Sequence, residues 1–188
     1  MEKLLKDESL RKLLEKIDDD FAQEACKNPC PHCKDKAKLH CGDYDRKPRG
    51  ISGWDKRRSF CCSNRKCRKR VTPPSVRFLG RKVYVGIVVV LLGAMQHGLK
   101  PDRVETLREE LGVDIRTLKR WRAWWLESFV QSKFWKAQRS RFMPPLNERV
   151  MPLSLVEKFG AGTCVGMVNL LRFLSPVTVS SGLNGCVM

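Results

Sequence analysis

Two short-spaced cysteine pairs constrain this chain more than any other feature. Cys30-Pro31-His32-Cys33 forms the first, and Cys61-Cys62-Ser63-Asn64-Arg65-Lys66-Cys67 contains the second. A tight turn presents two thiolates to one tetrahedral ion, and two such turns complete a four-ligand shell. Residues 58–62 read as a strand entering the second turn. Strand side chains alternate, so Phe60 and Cys62 share a face, which favours Cys62 over Cys61 as the ligand. The expected set is therefore Cys30, Cys33, Cys62 and Cys67 around Zn2+. Cys61, Cys26, His40 and Cys41 stay open as replacements, and His32 is expected to face solvent.

The cysteines number nine, an odd count. The first residues mix acids and bases on an amphipathic pattern, not a charged-then-apolar signal segment. A reduced cytoplasmic, nucleoid-associated setting is the expectation, and there paired cysteines bind metal more often than they form disulfides. The longest apolar run, residues 83–95, is too short to span a bilayer, so no membrane partner is expected.

The 188 residues carry 37 Lys+Arg against 20 Asp+Glu, a formal charge of +17. Such an excess speaks to partners, not to fold, and points to nucleic acid or another anionic surface. The charge is concentrated. Residues 26–80 hold 16 basic and 4 acidic side chains, whereas residues 1–25 hold 5 and 8. Arg46, Lys47 and Arg49 interleave with Tyr44 and Trp54, Lys56 and Arg57 follow, and Arg68, Lys69 and Arg70 extend the run beyond the second cysteine pair. Cations with a few aromatics suit phosphate contact and base stacking.

Around this module the chain divides by pattern. Residues 1–25 repeat Leu10, Leu13, Leu14, Ile17 and Phe21 on one helical face. That helix is expected to dock on the body of the protein, with dimerisation as the alternative. Residues 26–80 form the basic zinc-ribbon-like module, closed by Thr72-Pro73-Pro74-Ser75, read as a linker. In residues 81–137 an apolar helix over 83–95 precedes an amphipathic helix over 103–111. Gly112-Val113 then makes a turn, and Asp114 caps a basic helix. This is a helix-turn-helix pattern, whose second helix enters the major groove. Arg116, Thr117, Lys119 and Arg120 are expected to face DNA. Leu118, Trp121, Trp125 and Phe129 form the inward stripe, with Trp124 and Trp135 as packing residues. Residues 138–188 read as a linker, one or two short apolar helices over 153–174, and a tail. The loss of charge after residue 150 suggests a truncated or frame-shifted end. The expected fold is α+β, mostly α: a small zinc ribbon followed by a helical helix-turn-helix domain.

The first cysteine pair, the run from Phe60 to Arg70, the proline-bearing junction and Leu111-Gly112-Val113-Asp114-Ile115-Arg116-Thr117-Leu118-Lys119-Arg120-Trp121 together resemble the N-terminal half of zinc-ribbon transposases of bacterial insertion sequences. The resemblance covers about residues 27–137. It implies recognition of double-stranded DNA at the element's ends, with strand transfer left to a following catalytic domain. Two departures stand out. The second cysteine spacing is longer than that family's usual one. After residue 150 Glu157 is the sole acid, whereas two-metal phosphoryl transfer needs several converging carboxylates. No catalytic residue is assigned. The expectation is a zinc-dependent DNA-binding protein of a mobile element, acting as a homodimer or beside a transposase partner. The alternatives are a transcriptional regulator, an RNA-binding zinc ribbon, or a complete small transposase or nuclease using Asp43, Asp45 and Asp55.

Overall fold

A computed structural model describes residues 4, 7–46, 55–79, 86–95, 105, 106, 109 and 112–179. The chain is mostly helical with a small sheet region. Helix α1 (Glu8–Lys27) begins where the Asp7 carboxylate accepts the Leu10 amide at 3.0 Å, and it ends at extended Asn28, before Pro29. Leu10, Leu14, Ile17 and Ala22 turn inward, whereas Leu13, placed on the same stripe by periodicity, stays 46 % exposed. Asp18 is buried in that inward row.

The sheet region follows. Strands β1 (Leu39–Cys41), β4 (Phe60–Cys62) and β5 (Arg70–Val71) make an antiparallel sheet in the order β1-β4-β5. Leu39 lies opposite Cys62, His40 opposite Cys61, and Cys61 opposite Arg70. Strands β2 (Tyr44–Arg46) and β3 (Asp55–Arg57) pair separately as an antiparallel ladder.

The helical part is built on α2 (Gly86–Met95), apolar on all sides and buried from Val88 to Leu92 and at Ala94. Helix α3 (Ile115–Ala123) runs directly into a π-helical stretch, Trp124–Phe129. The wider turn changes the angular step between residues, and Trp124, Trp125 and Phe129 all bury their rings, with centroids 4.7–5.6 Å apart. Gly93 makes room for them: a Cβ there would meet the Trp125 indole nitrogen at 2.9 Å. Ser132 then caps α4 (Lys133–Gln138) by accepting the Trp135 amide at 3.1 Å. Short 3-10 turns at Arg139–Arg141 and Glu148–Val150 lead to α5 (Leu153–Lys158), α6 (Cys164–Leu174) and a last turn, Ser175–Thr178. Of the one or two short apolar helices expected over 153–174, two are present. One hydrophobic core runs from Leu4 and Leu10 on the N-terminal side through α2, α3, α4, α5 and α6 to Val177. The N-terminal helix therefore docks on the body of the protein. Among the described residues no helix is long and apolar enough to cross a membrane.

The proline-bearing segment read as a linker is buried over much of its length: Pro73 and residues 75–79 are all inaccessible. It forms a clasp. Asp18, 1 % exposed, accepts the Val76 amide at 2.7 Å, the Ser75 hydroxyl at 2.6 Å and Arg77 Nε at 3.0 Å. Arg77, 4 % exposed, also donates to Asp55 and to the Lys56 carbonyl. Helix α1, the clasp and β3 are thereby fastened at one buried point. Removing one partner of such a pair leaves an uncompensated buried charge, at a cost of about 3–5 kcal/mol. Asp18→Ala should lower stability by that amount in denaturant unfolding. A loss under about 1 kcal/mol would show that the pair holds nothing together.

Candidate metal centre and basic surfaces

Two turns converge at one end of the β1-β4-β5 sheet. In the first, the Cys30 amide donates to Ala37 O at 2.9 Å and the Lys36 amide to Cys33 O at 3.2 Å, with Lys36 at a positive φ of 47°. In the second, Asn64 O accepts the amides of Cys67 and Arg68, both at 3.0 Å, and Arg68 takes a φ of 48°. Side chains with a Cβ seldom adopt this left-handed conformation, so both turns are tightly determined. The Ser63 amide donates to Lys38 O at 3.0 Å and joins the second turn to the first.

This arrangement gathers Cys30, Cys62 and Cys67, whose sulfurs all lie within 4.8 Å of one another. The Cys30 and Cys67 sulfurs are 3.9 Å apart. Bonds of 2.3 Å from a tetrahedral zinc would set two sulfurs about 3.8 Å apart. Cys30 and Cys62 are buried and Cys67 is half-buried. Burial, with added effect from Cys30 and Cys67, pushes the Cys62 thiol up to about 12. A cation can take the place of the proton that burial holds there, so binding would release protons. The trio could hold a metal ion.

Cys33 lies outside the trio. It is half-buried, and its sulfur accepts Asn64 Nδ2 at 3.3 Å. Cys61 projects from the opposite sheet face, in the row with His40 and Arg70. Cys26, Cys41, His32 and His40 are exposed and stand apart from the cluster. Asn64 is the residue that spacing did not single out. Its Oδ1 accepts the Lys66 amide at 2.8 Å and its Nδ2 also donates to Asp35 at 2.6 Å, so it touches both turns. An Asn two residues before a backbone donor within a tight loop was the available signal, because Asn side chains stabilise turns in this way.

The basic positions divide by environment. Lys56, Arg68, Lys69 and Arg70 are exposed, and Arg46 is half-buried. The guanidinium groups of Arg46 and Arg70 lie 4.9 and 5.3 Å from the Tyr44 ring centre, and Arg70 also donates to Gly42 O at 2.8 Å. Arg57, expected at the surface, is buried instead and donates to Pro73 O at 2.7 Å. Burial lowers its pKa, and its position in β3 points it inward against the clasp. Arg58 bridges Asp43 at 3.0 Å and Asp19 at 2.6 Å, and those hydrogen bonds, Asp43 first, raise its pKa. Burial disfavours ionised Asp43, but the Ser59 amide and Arg58 outweigh it and its pKa falls. Asp43 and Asp55 are therefore both committed to arginines. Lys47, Arg49 and Trp54 lie outside the described residues.

On α3, Asp114 accepts the Arg116 amide at 2.7 Å and caps the helix as its sequence position suggests. Gly112 precedes it at a φ of 58°, a conformation that glycine adopts without cost. Arg116, Lys119 and Arg120 are exposed. Thr117 is buried, with its hydroxyl accepting Arg120 Nη2 at 2.9 Å, so it supports an arginine and does not face outward. It shares the inner arc with Leu118 and Trp121. Most of the expected preceding helix, residues 103–111, lies outside the described residues.

No protein-family model, curated protein or solved structure matches the chain. The likeness to transposases therefore rests on the residues quoted for it.

Cys62→Ser should abolish stoichiometric metal binding by the reduced protein, and Cys61→Ser should leave it intact; elemental analysis of both variants decides this. Retention of metal by Cys62→Ser would remove Cys62 from the site. Affinity for the metal should weaken as pH falls, because protons then compete for the thiolates.

Proposed function

We propose that the protein is a zinc-stabilised DNA-binding protein of the mobile-element type, with the sheet region acting as a zinc ribbon. The observation that carries this reading is the three-sulfur cluster, seated between two turns whose outer residues are mostly cations. Zn2+ suits an all-thiolate set, with Cys33 as the fourth ligand, its sulfur keeping the hydrogen bond from Asn64. A structural zinc contributes roughly 10–16 kcal/mol to the folding of small modules. It would fix the positions of Lys56, Arg68, Lys69 and Arg70 against the phosphate backbone. Arg116 at the start of α3, with Lys119 and Arg120 further along it, would then meet base edges and phosphates in the major groove. Cutting and joining of DNA would belong to a transposase partner.

With about 6–10 phosphates neutralised, affinity for duplex DNA should fall about 10³–10⁵-fold between 50 and 200 mM salt. Chelation should abolish the binding. Competition with RNA of matched length completes the test: RNA displacing the duplex at lower concentration, or binding without salt dependence, would sink the duplex-DNA reading.

Asn64 has a place in the same reading. Side chains that hold metal ligands by hydrogen bonds contribute about 10–100-fold to metal affinity. Asn64→Ala should lose affinity in that range in competition with a chromogenic chelator, with all four cysteines still present. Unchanged affinity would reduce Asn64 to a turn residue.

A further inference from the structure

We propose that α4 and the 3-10 turn after it form a second phosphate-gripping face, made by Lys133, Lys136, Arg139 and Arg141, for the backbone of the same nucleic acid. This rests on the nucleic-acid reading above and extends it to a surface that the sequence pattern did not point to.

The inner side of α4 is fully occupied. Trp135 is 1 % exposed, and its indole N–H donates to Glu148 at 2.7 Å. Its ring lies 5.4 Å from Phe129 and 5.8 Å from Phe142, and Phe134 packs 5.2 Å from Phe173. The helix is therefore held rigidly, and what it presents outward is cationic. Lys133, Lys136, Arg139 and Arg141 are all exposed. The first three recur at a spacing of three, close to one helical face.

The surrounding charge is one-sided. Residues 128–147 contain no Asp or Glu. Of the two flanking acids, Glu148 is committed to Trp135 and lies 3.7 Å from Arg139, and Glu127 projects from the preceding π-helical stretch. Arg141 donates to the neutral Gln138 side chain at 2.8 Å. Like charges three residues apart destabilise a helix. Among the described residues Lys133 and Lys136 have no acidic partner to offset that repulsion, whereas an external polyanion would relieve it. Lys133 to Arg139 spans about 9 Å of helix axis, with 1.5 Å per residue. That length covers about three phosphates of one strand at 3.4 Å each along the duplex axis.

Nucleic acid fits this face better than a lipid surface does. A helix lying on a membrane inserts an apolar side, but Phe134 and Trp135 are spent on the core, and among the described residues of this stretch Met143 is the one large exposed apolar side chain.

The test uses the full metal-loaded chain carrying Lys133→Gln, Lys136→Gln, Arg139→Gln and Arg141→Gln together, with a thermal melt to check folding. Binding to random duplex DNA is titrated between 50 and 200 mM salt. The slope of log affinity against log salt should become shallower by about 3, given about 0.9 per phosphate contact. Lys133→Gln with Lys136→Gln alone should account for roughly half of that change, and this double variant decides the matter if the fourfold one fails to fold. A wild-type slope in a folded variant overturns the second face while the DNA reading stands. Absence of duplex binding by the wild type overturns both. Loss of binding to phosphatidylserine vesicles, with the DNA slope unchanged, assigns the face to a lipid surface and overturns the proposal.

Discussion

The buried pair Asp18–Arg77 carries the architecture. Isolated burial of either charge would be prohibitive. Here each is surrounded by partners: Asp18 takes a backbone amide, a hydroxyl and a guanidinium, and Arg77 reaches Asp18, Asp55 and the Lys56 carbonyl. The partners belong to three separate stretches of chain, so the network forms only when all three are in place. Polar networks of this kind reward complete satisfaction and penalise anything less. The pair thus fixes the sheet region to the helical core, a task that residues 72–79 could not perform as an exposed tether.

Several cations counted in the charge of the sheet region are consumed in that fastening. Arg57 braces Pro73, Arg58 spans Asp19 and Asp43, and Arg77 is internal. The charge excess is thereby separated into an interior share that holds the fold and an exterior share open to partners. Formal charge overstates the first surface, on the sheet, and pattern reading understates a second, on α4. In sequence, Lys133 and Lys136 look like the ordinary solvated side of a helix. Their weight comes from the acid-free stretch around them and from the aromatic packing that fixes the helix beneath.

Local chemistry was legible where its cause was local. The Asp114 cap, the all-round apolar helix and the alternation that favours Cys62 each depend on a few neighbouring residues, and each is found in the structure. What escaped depends on distant ones. Asp18 falls in the inward row of α1, yet its partners lie 57 to 59 residues away, and no period within a helix announces them. Leu13 and Thr117 failed in opposite directions for one reason: the inward arc of a helix is set by what packs on it. Leu13 finds no cover, whereas Thr117 is covered beside Leu118. In the candidate metal centre, spacing identified three of the sulfurs that converge. It could not show that Cys33 would instead rest on Asn64.

That difference within the cysteine set has a physical basis. Three sulfurs are pre-placed by the first turn, the sheet and the second turn, so much of the entropy of assembling a site is met by folding of the backbone. The buried Cys62 thiol stays protonated until a cation replaces the proton. Cys33, half-buried and hydrogen-bonded to Asn64, would be the fourth ligand of the proposed site. An ion entering from that side would complete the shell without disturbing β4. Because β4 pairs with both β1 and β5, and Arg57 on β3 braces Pro73 within the clasp, order imposed by a bound metal would pass along covalent and hydrogen-bonded links to Arg77 and from there to α1. The proposed phosphate-contacting surfaces on the sheet and on the helices would then be held in one fixed relation, as a rigid polyanion such as duplex DNA requires.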